Sequence, residues 1–490
     1  MKSDVKTSTG VLRGRWEDGV AVYRGIPFAA PPVGPRRFAA PQSAEPWDGI
    51  RDASRFGPPP PQLGHPTDSD DWLNLAVWTP DPGRAALPVV VWISGGGYLN
   101  CDSADPYLTG AAVAAAGAVL VSANYRTGFE GFAHISEAPD NRGLLDQVAA
   151  LGWVQDNVAG FGGDPGNVTV LGQSAGAGSI AALLMTPVAA GTFRRAILQS
   201  IPGTYFTTNL AADISAEICG ELGRTPRVAD IADVAPDDLV AAAGSVTDRL
   251  LQRFDRWGPV AYSSTPFAPV VDGDLLPSAP WAAIAGGAAR GAELLVGHSR
   301  DEYSLLAARL PDIDDVQVDA LIDGLSPTPG ANRYRAADPS ATAKQLRETA
   351  LSDWLYRMPA LHLAEAADRG GARVWLYELS WGFGPHGASH GLDTLLLFGT
   401  TDLAGEVTTA GPNAVATVEG LSQLIRAEHL EFVTTGEPGW TRFRTVEPWT
   451  RVYLPEPGLI PYPEKRSRAL WTQLRFGVLD ANPAVDPRIA

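Results

Sequence analysis

The stretch Asn167 to Met185, NVTVLGQSAGAGSIAALLM, constrains this chain more than any other. It passes from a β-branched run straight into an apolar helical pattern through Gly172-Gln173-Ser174-Ala175-Gly176, with no residues left over for a loop. So tight a strand-to-helix turn leaves no room for a Cβ at either glycine, and it drives the central serine into a strained conformation with its Oγ exposed. The helix that follows aims its N-terminal N–H groups at the same point. The competing reading makes Ser174 an ordinary N-cap at a Ser/Gly-rich helix start. The strand before and the helix after favour a nucleophile.

Elsewhere the same alternation recurs. Leu87 to Ser94 (LPVVVWIS), Ala118 to Ala123 (AVLVSA) and Glu293 to Gly297 (ELLVG) are short apolar runs ended by Gly, Asn or Ser, the pattern of strands buried on both faces. Between them lie helical patterns such as Leu144 to Val158, apolar at i, i+3, i+4 and i+7. Strands alternating with helices predict an α/β fold with a mostly parallel central sheet flanked by helices. The Pro-rich stretches Pro31 to Pro35 and Pro58 to Pro61 read as surface loops. No composition shift marks a boundary, so one large domain over residues 1–490 is expected.

Composition excludes several function classes. The 38 Lys+Arg against 55 Asp+Glu leave a net charge of −17, and the pI near 4.8 rules out a bulk electrostatic footprint for nucleic acid or an anionic membrane. The longest apolar run, Ala111 to Val121, is too short to span a bilayer, and Met1 to Gly10 lacks the apolar centre of a signal peptide. Two cysteines, Cys101 and Cys219, make neither a disulfide framework nor a zinc site. A cytoplasmic location is expected.

A serine hydroxyl needs a base to take its proton and preorganised donors for the oxyanion it creates. Ser94-Gly95-Gly96-Gly97-Tyr98 follows a predicted strand, and consecutive glycines let backbone N–H groups approach a substrate closely. Alone this is a plain glycine turn; together with Ser174 it reads as the oxyanion loop. Of seven histidines, those after Ser174 and an intervening acid satisfy the chain order of this fold class. His362 and His429 fall on helical stretches, which leaves His386 and His390 in the loop GFGPHGASHG. The acid belongs at the end of a strand between Ser174 and that loop, where Asp301 and Glu302 follow Glu293 to Gly297. Residue chemistry alone does not separate the members of either pair.

The residues in order resemble a known family. Tyr23-Arg24-Gly25-Ile26-Pro27-Phe28-Ala29 with Pro31-Pro32-Val33-Gly34, the block Asp71-Trp72-Leu73-Asn74-Leu75, and the run from Asn124-Tyr125-Arg126 through Phe161-Gly162-Gly163-Asp164-Pro165 are similar to successive motifs of the type-B carboxylesterases. These are α/β-hydrolases that include para-nitrobenzyl esterases and cholinesterases, with N-terminal strands and long inserted loops and helices. The resemblance implies that the acid is Glu302, in Val296-Gly297-His298-Ser299-Arg300-Asp301-Glu302, and the base His390, in His390-Gly391-Leu392-Asp393 through Phe398-Gly399. It also implies that Gly96, Gly97 and Ala175 carry the oxyanion N–H groups, that His386 is a neighbour without a catalytic role, and that the partner is a small-molecule ester. Neither metal nor organic cofactor is required.

The expected reaction is acyl transfer to water by a Ser174-His390-Glu302 triad, lost at low pH as the imidazole becomes protonated. Its rivals are acyl transfer to an alcohol or amine, a dedicated ester cleavage in a small-molecule pathway, amide cleavage, and a catalytically silent binding protein. The last is disfavoured because all three triad positions are filled. Tyr98, Trp381 and Phe383 are candidates for pocket walls, though aromatic residues in loops more often serve packing.

The sequence departs from the family at Ser94 (usually His in bacterial members), Gln173 (Glu), Tyr303 (Gly) and Trp72 (Cys). Gln173 removes one negative charge beside the nucleophile and with it an attraction for cationic alcohols. Gln173→Glu is therefore expected to raise kcat/KM for a cationic ester relative to a matched neutral one. An unchanged ratio would refute this.

Overall fold

The computed structural model describes residues 3–66, 69–325, 330–400 and 412–481. Its centre is an eleven-stranded sheet. In chain order the strands are β1 (Arg15–Glu17), β2 (Val20–Pro27), β3 (Asn74–Thr79), β4 (Leu87–Ile93), β5 (Val119–Ala123) and β6 (Gly163–Gln173). They continue with β7 (Arg195–Gln199), β8 (Glu293–Ser299), β9 (Arg373–Leu379), β10 (Trp449–Tyr453) and β11 (Gly458–Pro461). Across the sheet they lie in the order β11-β10-β9-β8-β7-β6-β4-β5-β3-β2-β1. From β10 to β5 every pairing is parallel, and the outer pairings on both sides are antiparallel.

The apolar runs form buried strands because successive side chains point to opposite faces and both faces are covered. Val89, Val91 and Ile93 of β4 enter one core cluster, while Val90 and Trp92 enter the other. In β9, Val374 and Leu376 face one way, and Trp375, Tyr377 and Leu379 the other. The first face is covered by α1 (Arg142–Asn157), α2 (Ala175–Leu183) and α3 (Met358–Gly370). The second is covered by α4 (Leu392–Phe398) and α5 (Pro412–Thr435). Long insertions follow β7 and β8 and carry further helices, among them Thr208–Gly220, Pro236–Asp248 and Ala343–Ser352. Among the described residues no helix is long and apolar enough to cross a membrane.

Strand order reverses at β4, which has β5 on one side and β6 on the other. The connections leaving β4 and β6 diverge there, opening a crevice at their carboxyl ends, where ligands bind in sheets of this kind. The glycine loop leaves β4 and Ser174 leaves β6 at this crevice, with Ile93 paired to Gly172. The strand readings hold with shifted ends. β6 begins at Gly163 rather than near Val168, and β8 runs to Ser299, so His298 and Ser299 belong to the strand instead of the turn beyond it.

A buried ion pair anchors the approach to this crevice. Arg126, just after β5, donates from Nε and Nη2 to Asp146 of α1 at 2.8 Å each, and its main-chain N–H donates to the same carboxylate at 3.0 Å. Both side chains are fully excluded from solvent. Removing one partner leaves an uncompensated buried charge, which costs about 3–5 kcal/mol. Asp146→Ala is therefore expected to lower the denaturant midpoint of unfolding by an equivalent amount, whereas a shift worth under about 1 kcal/mol would show the pair to be dispensable.

Candidate active site

The geometry of the β6–α2 turn follows from its glycines. A Cβ on Gly172 would lie 2.6 Å from the carbonyl carbon of Gly176, and one on Gly176 would collide with the Ile93 carbonyl of the neighbouring strand. With both positions stripped to hydrogen the turn closes, and Ser174 takes φ +55° and ψ −124°, a strained conformation for a residue with a side chain. Its main-chain N–H donates to the Gln199 carbonyl at 2.9 Å. Ser174 occupies the N-cap position of α2, but its side chain makes no capping hydrogen bond. The ordinary N-cap reading therefore fails, because the strained φ and ψ turn the hydroxyl away from the helix.

Beside it lies the loop after β4. Gly96 and Gly97 adopt φ +114° and +63°, and a Cβ on Gly96 would sit 2.6 Å from the Asn100 carbonyl oxygen. The Gly96 carbonyl accepts from Leu99 N–H at 3.0 Å and Asn100 N–H at 3.2 Å, and the Gly97 carbonyl accepts from Thr265 Oγ1 at 2.6 Å. These bonds fix the peptide planes. A Cβ on Gly95 would lie 3.2 Å from the Ser174 Cβ, which places the loop directly against the serine. Ser94, the departure from the resembled family, donates to Cys101 Sγ at 3.2 Å, and its carbonyl accepts from Tyr125 Oη at 2.7 Å.

Two more loops converge from the ends of β8 and β9. Glu302 is fully buried. Its Oε2 accepts from His390 Nδ1 at 2.5 Å, and its Oε1 accepts from Ser200 Oγ at 2.6 Å and Ser299 N–H at 2.7 Å. Burial alone would push this carboxyl up; the facing His390 ring and these hydrogen bonds pull it below the ordinary glutamate value. Asp301 turns the other way. Its carboxylate accepts from Ala388 N–H at 3.0 Å, and its own N–H donates to the Ala388 carbonyl at 3.0 Å, a two-way tie to the loop that carries His390. The adjacent carboxylates thus divide the work: one holds the ring, the other its loop.

At the far side of the ring, His390 Nε2 lies 2.9 Å from the Gln173 side-chain Nε2. The Tyr356 ring lies over the imidazole, with centroids 4.1 Å apart and planes tilted by 30°. Tyr356 was not foreseen from the sequence. It stands in a π-helical turn, Asp353–Arg357, and the extra residue of that turn rotates side chains away from the α-helical pattern. Ser200, at φ +51° after β7, was missed too, since a lone serine past a strand carries no motif.

Other candidates fall elsewhere. Ser304 Oγ donates to the His386 carbonyl at 2.6 Å, while His362 packs edge-on against Phe476 and His429 bonds to the Ile425 carbonyl. Burial pushes both His362 and His429 down to about 4. Tyr98 is buried against Phe132, and Trp381 and Phe383 pack on one another, so the packing reading holds for all three. A cavity of about 830 Å³ borders Gly95, Gly96, Gln173 and Gly391, with Trp92, Leu108 and Leu395 on its walls and Asp102 and Asp105 also lining it. Among the described residues no group of three His, Cys, Asp or Glu side chains is arranged to hold a metal ion.

Known proteins share this sequence and fold. Residues 1–459 match the model of the Carboxylesterase family. The chain is 37% identical over 457 residues to the para-nitrobenzyl esterase of Bacillus subtilis (strain 168), covering 89% of this chain and 90% of that protein. It is 33% identical over 483 residues to the phenmedipham hydrolase of Pseudarthrobacter oxydans, covering 90% and 93%. The crystal structure of a Geobacillus stearothermophilus carboxylesterase superposes with a TM-score of 0.85 at 32% identity, covering 96% of this chain and all of that one. With the family matched over nearly its whole length and the α/β-hydrolase fold shared with solved esterases, this chain belongs to the carboxylesterase family and is a carboxylic ester hydrolase.

Proposed function

We propose that this hydrolase works through an acyl-enzyme on Ser174, with His390 as base and Glu302 as its orienting acid. The observation that carries the reading is the Glu302–His390 hydrogen bond at 2.5 Å, reached from two separate loops that meet beside a strained serine whose hydroxyl is not spent on its helix. In the first step Ser174 Oγ attacks the ester carbonyl and His390 Nε2 takes its proton. The negative oxygen that forms is held by the N–H groups of Gly96, Gly97 and Ala175, where the N-terminus of α2 adds its dipole. The imidazolium, stabilised by Glu302, returns the proton to the departing alkoxide. Water activated by His390 then cleaves the acyl-serine by the reverse sequence.

The preferred substrates in this reading are small aromatic or short-acyl esters. Gln173 and Gly391 flank His390 and also border the 830 Å³ cavity, so the alcohol that receives the proton from His390 departs toward that space. Its Trp92 and leucine walls favour an apolar or aromatic alcohol. A relative named para-nitrobenzyl esterase supports the same choice. The two aspartates in the cavity keep negative charge near the alcohol despite Gln173.

Hydrolysis of para-nitrophenyl esters from acetate to decanoate by wild type and Ser174→Ala tests the nucleophile. A loss of at least about 10⁴-fold in kcat is expected, with the best chain length sizing the acyl site. Equal turnover by the mutant would overturn the assignment. Glu302→Gln keeps the shape but selects the wrong imidazole tautomer, and kcat is expected to fall about 10²–10⁴-fold with KM little altered. A decrease under tenfold would remove Glu302 from the triad.

A further inference from the structure

The strongest unexplained contact in the site is the one between Gln173 and the reactive nitrogen of His390. Among the described residues the hydrogen bond drawn from Nε2 is to the Gln173 carboxamide, at 2.9 Å, and none joins it to Ser174 Oγ. In the resting molecule the lone pair that must later accept the serine proton is thus already engaged. The donor can only be the amide NH₂, because a neutral imidazole that gives its Nδ1 proton to Glu302 has nothing but a lone pair at Nε2.

We propose that Gln173 is a positioning residue for the base: it holds His390 as the neutral Nδ1–H tautomer and opposes protonation at Nε2 until an ester arrives. An N–H pointing at Nε2 is attractive to a lone pair and repulsive to an N–H⁺. Uptake of a proton from solvent therefore breaks the bond or forces the amide to turn. Glu302 selects the tautomer from one side of the ring and Gln173 from the other, and Tyr356, stacked on the face, blocks tilting. When the ester carbonyl enters, the ring exchanges its partner from Gln173 to Ser174 Oγ. Catalytic hydrogen bonds that are absent at rest and form only in the Michaelis complex are common.

Among the described residues, Glu302, Tyr356 and Asp393 are titratable groups that act on this ring. Glu302 faces Nδ1, and Tyr356 covers the face with a phenol that burial keeps well above its ordinary value. Asp393, in the first turn of α4, interacts with His390 through space and is pushed up to about 6 by burial. Because burial pushes Asp393 up toward the range of an imidazole, activity alone would mix the two groups. The test therefore follows the His390 ring itself.

The experiment is an NMR titration of side-chain-labelled His390 in the unliganded full-length protein, comparing wild type, Gln173→Ala and Gln173→Glu, alongside the acidic limb of kcat/KM for a neutral para-nitrophenyl ester. Removing the amide donor and admitting water is expected to move the His390 midpoint up by about half a pH unit. A carboxylate in its place, accepting from the imidazolium, is expected to move it up by about 1 unit or more. The acidic limb should move in the same order. Midpoints that coincide in all three proteins, or a Gln173→Ala midpoint below that of wild type, as an amide oxygen facing the ring would produce, overturn the proposal. The inference rests on His390 acting as base, but the two fail differently. If Ser174→Ala retains full activity the triad assignment falls, whereas the ring titration stays readable and judges Gln173 alone.

Discussion

Everything in this active site depends on how closely α2 can approach the sheet at the end of β6. A single carbonyl, that of Ile93 on β4, sits where any side chain at position 176 would have to be. The missing Cβ lets the first turn of α2 pack directly onto the strand ends. That packing holds Ser174 in a conformation which local preference opposes, supported by the main-chain bond from its N–H to Gln199. The strain is affordable only because the rest of the sheet is continuous and buried on both faces. The same closeness brings the glycine loop of β4 against the serine, so the positions of Ser174 and of that loop are set by one contact surface.

The sheet also explains why three residues so far apart in sequence meet. β6, β8 and β9 are parallel and end at the same edge, with β7 between them contributing Ser200 beneath Glu302. Parallel strands deliver their following loops to one side, so residues 174, 302 and 390 need no long excursions. The insertions after β7 and β8 then build the surroundings without disturbing these strand ends. Tyr356 arrives from the second of these, in a turn that departs from α-helical spacing.

How much of this could be read from the sequence follows from which features are local. The strands around Val89 and Val119 and the helix at Leu144 were legible because hydrophobic period reports burial directly. Ser174 was legible because its turn has a composition that few other structures need. Which carboxylate meets His390 was not, since Asp301 and Glu302 are neighbours in a turn whose direction depends on packing against the His390 loop; resemblance, not chemistry, pointed to Glu302. Tyr356 and the Gln173–His390 contact were invisible, because one depends on a π-helical turn and the other on where two loops come to rest.

The paired main-chain and side-chain bonds between Asp301 and Ala388 have a consequence for rebuilding this enzyme. Glu302 and His390 reside on different loops, but those loops are stitched together immediately beside the contact between them, so they form one mechanical part. Grafting the loop after β9 from a relative without its partner after β8 would cut the stitch and leave Glu302 and His390 to find each other across an unmatched seam. Exchange of active-site surroundings between such enzymes is therefore best done in units that respect this seam, with both loops transplanted as a single piece.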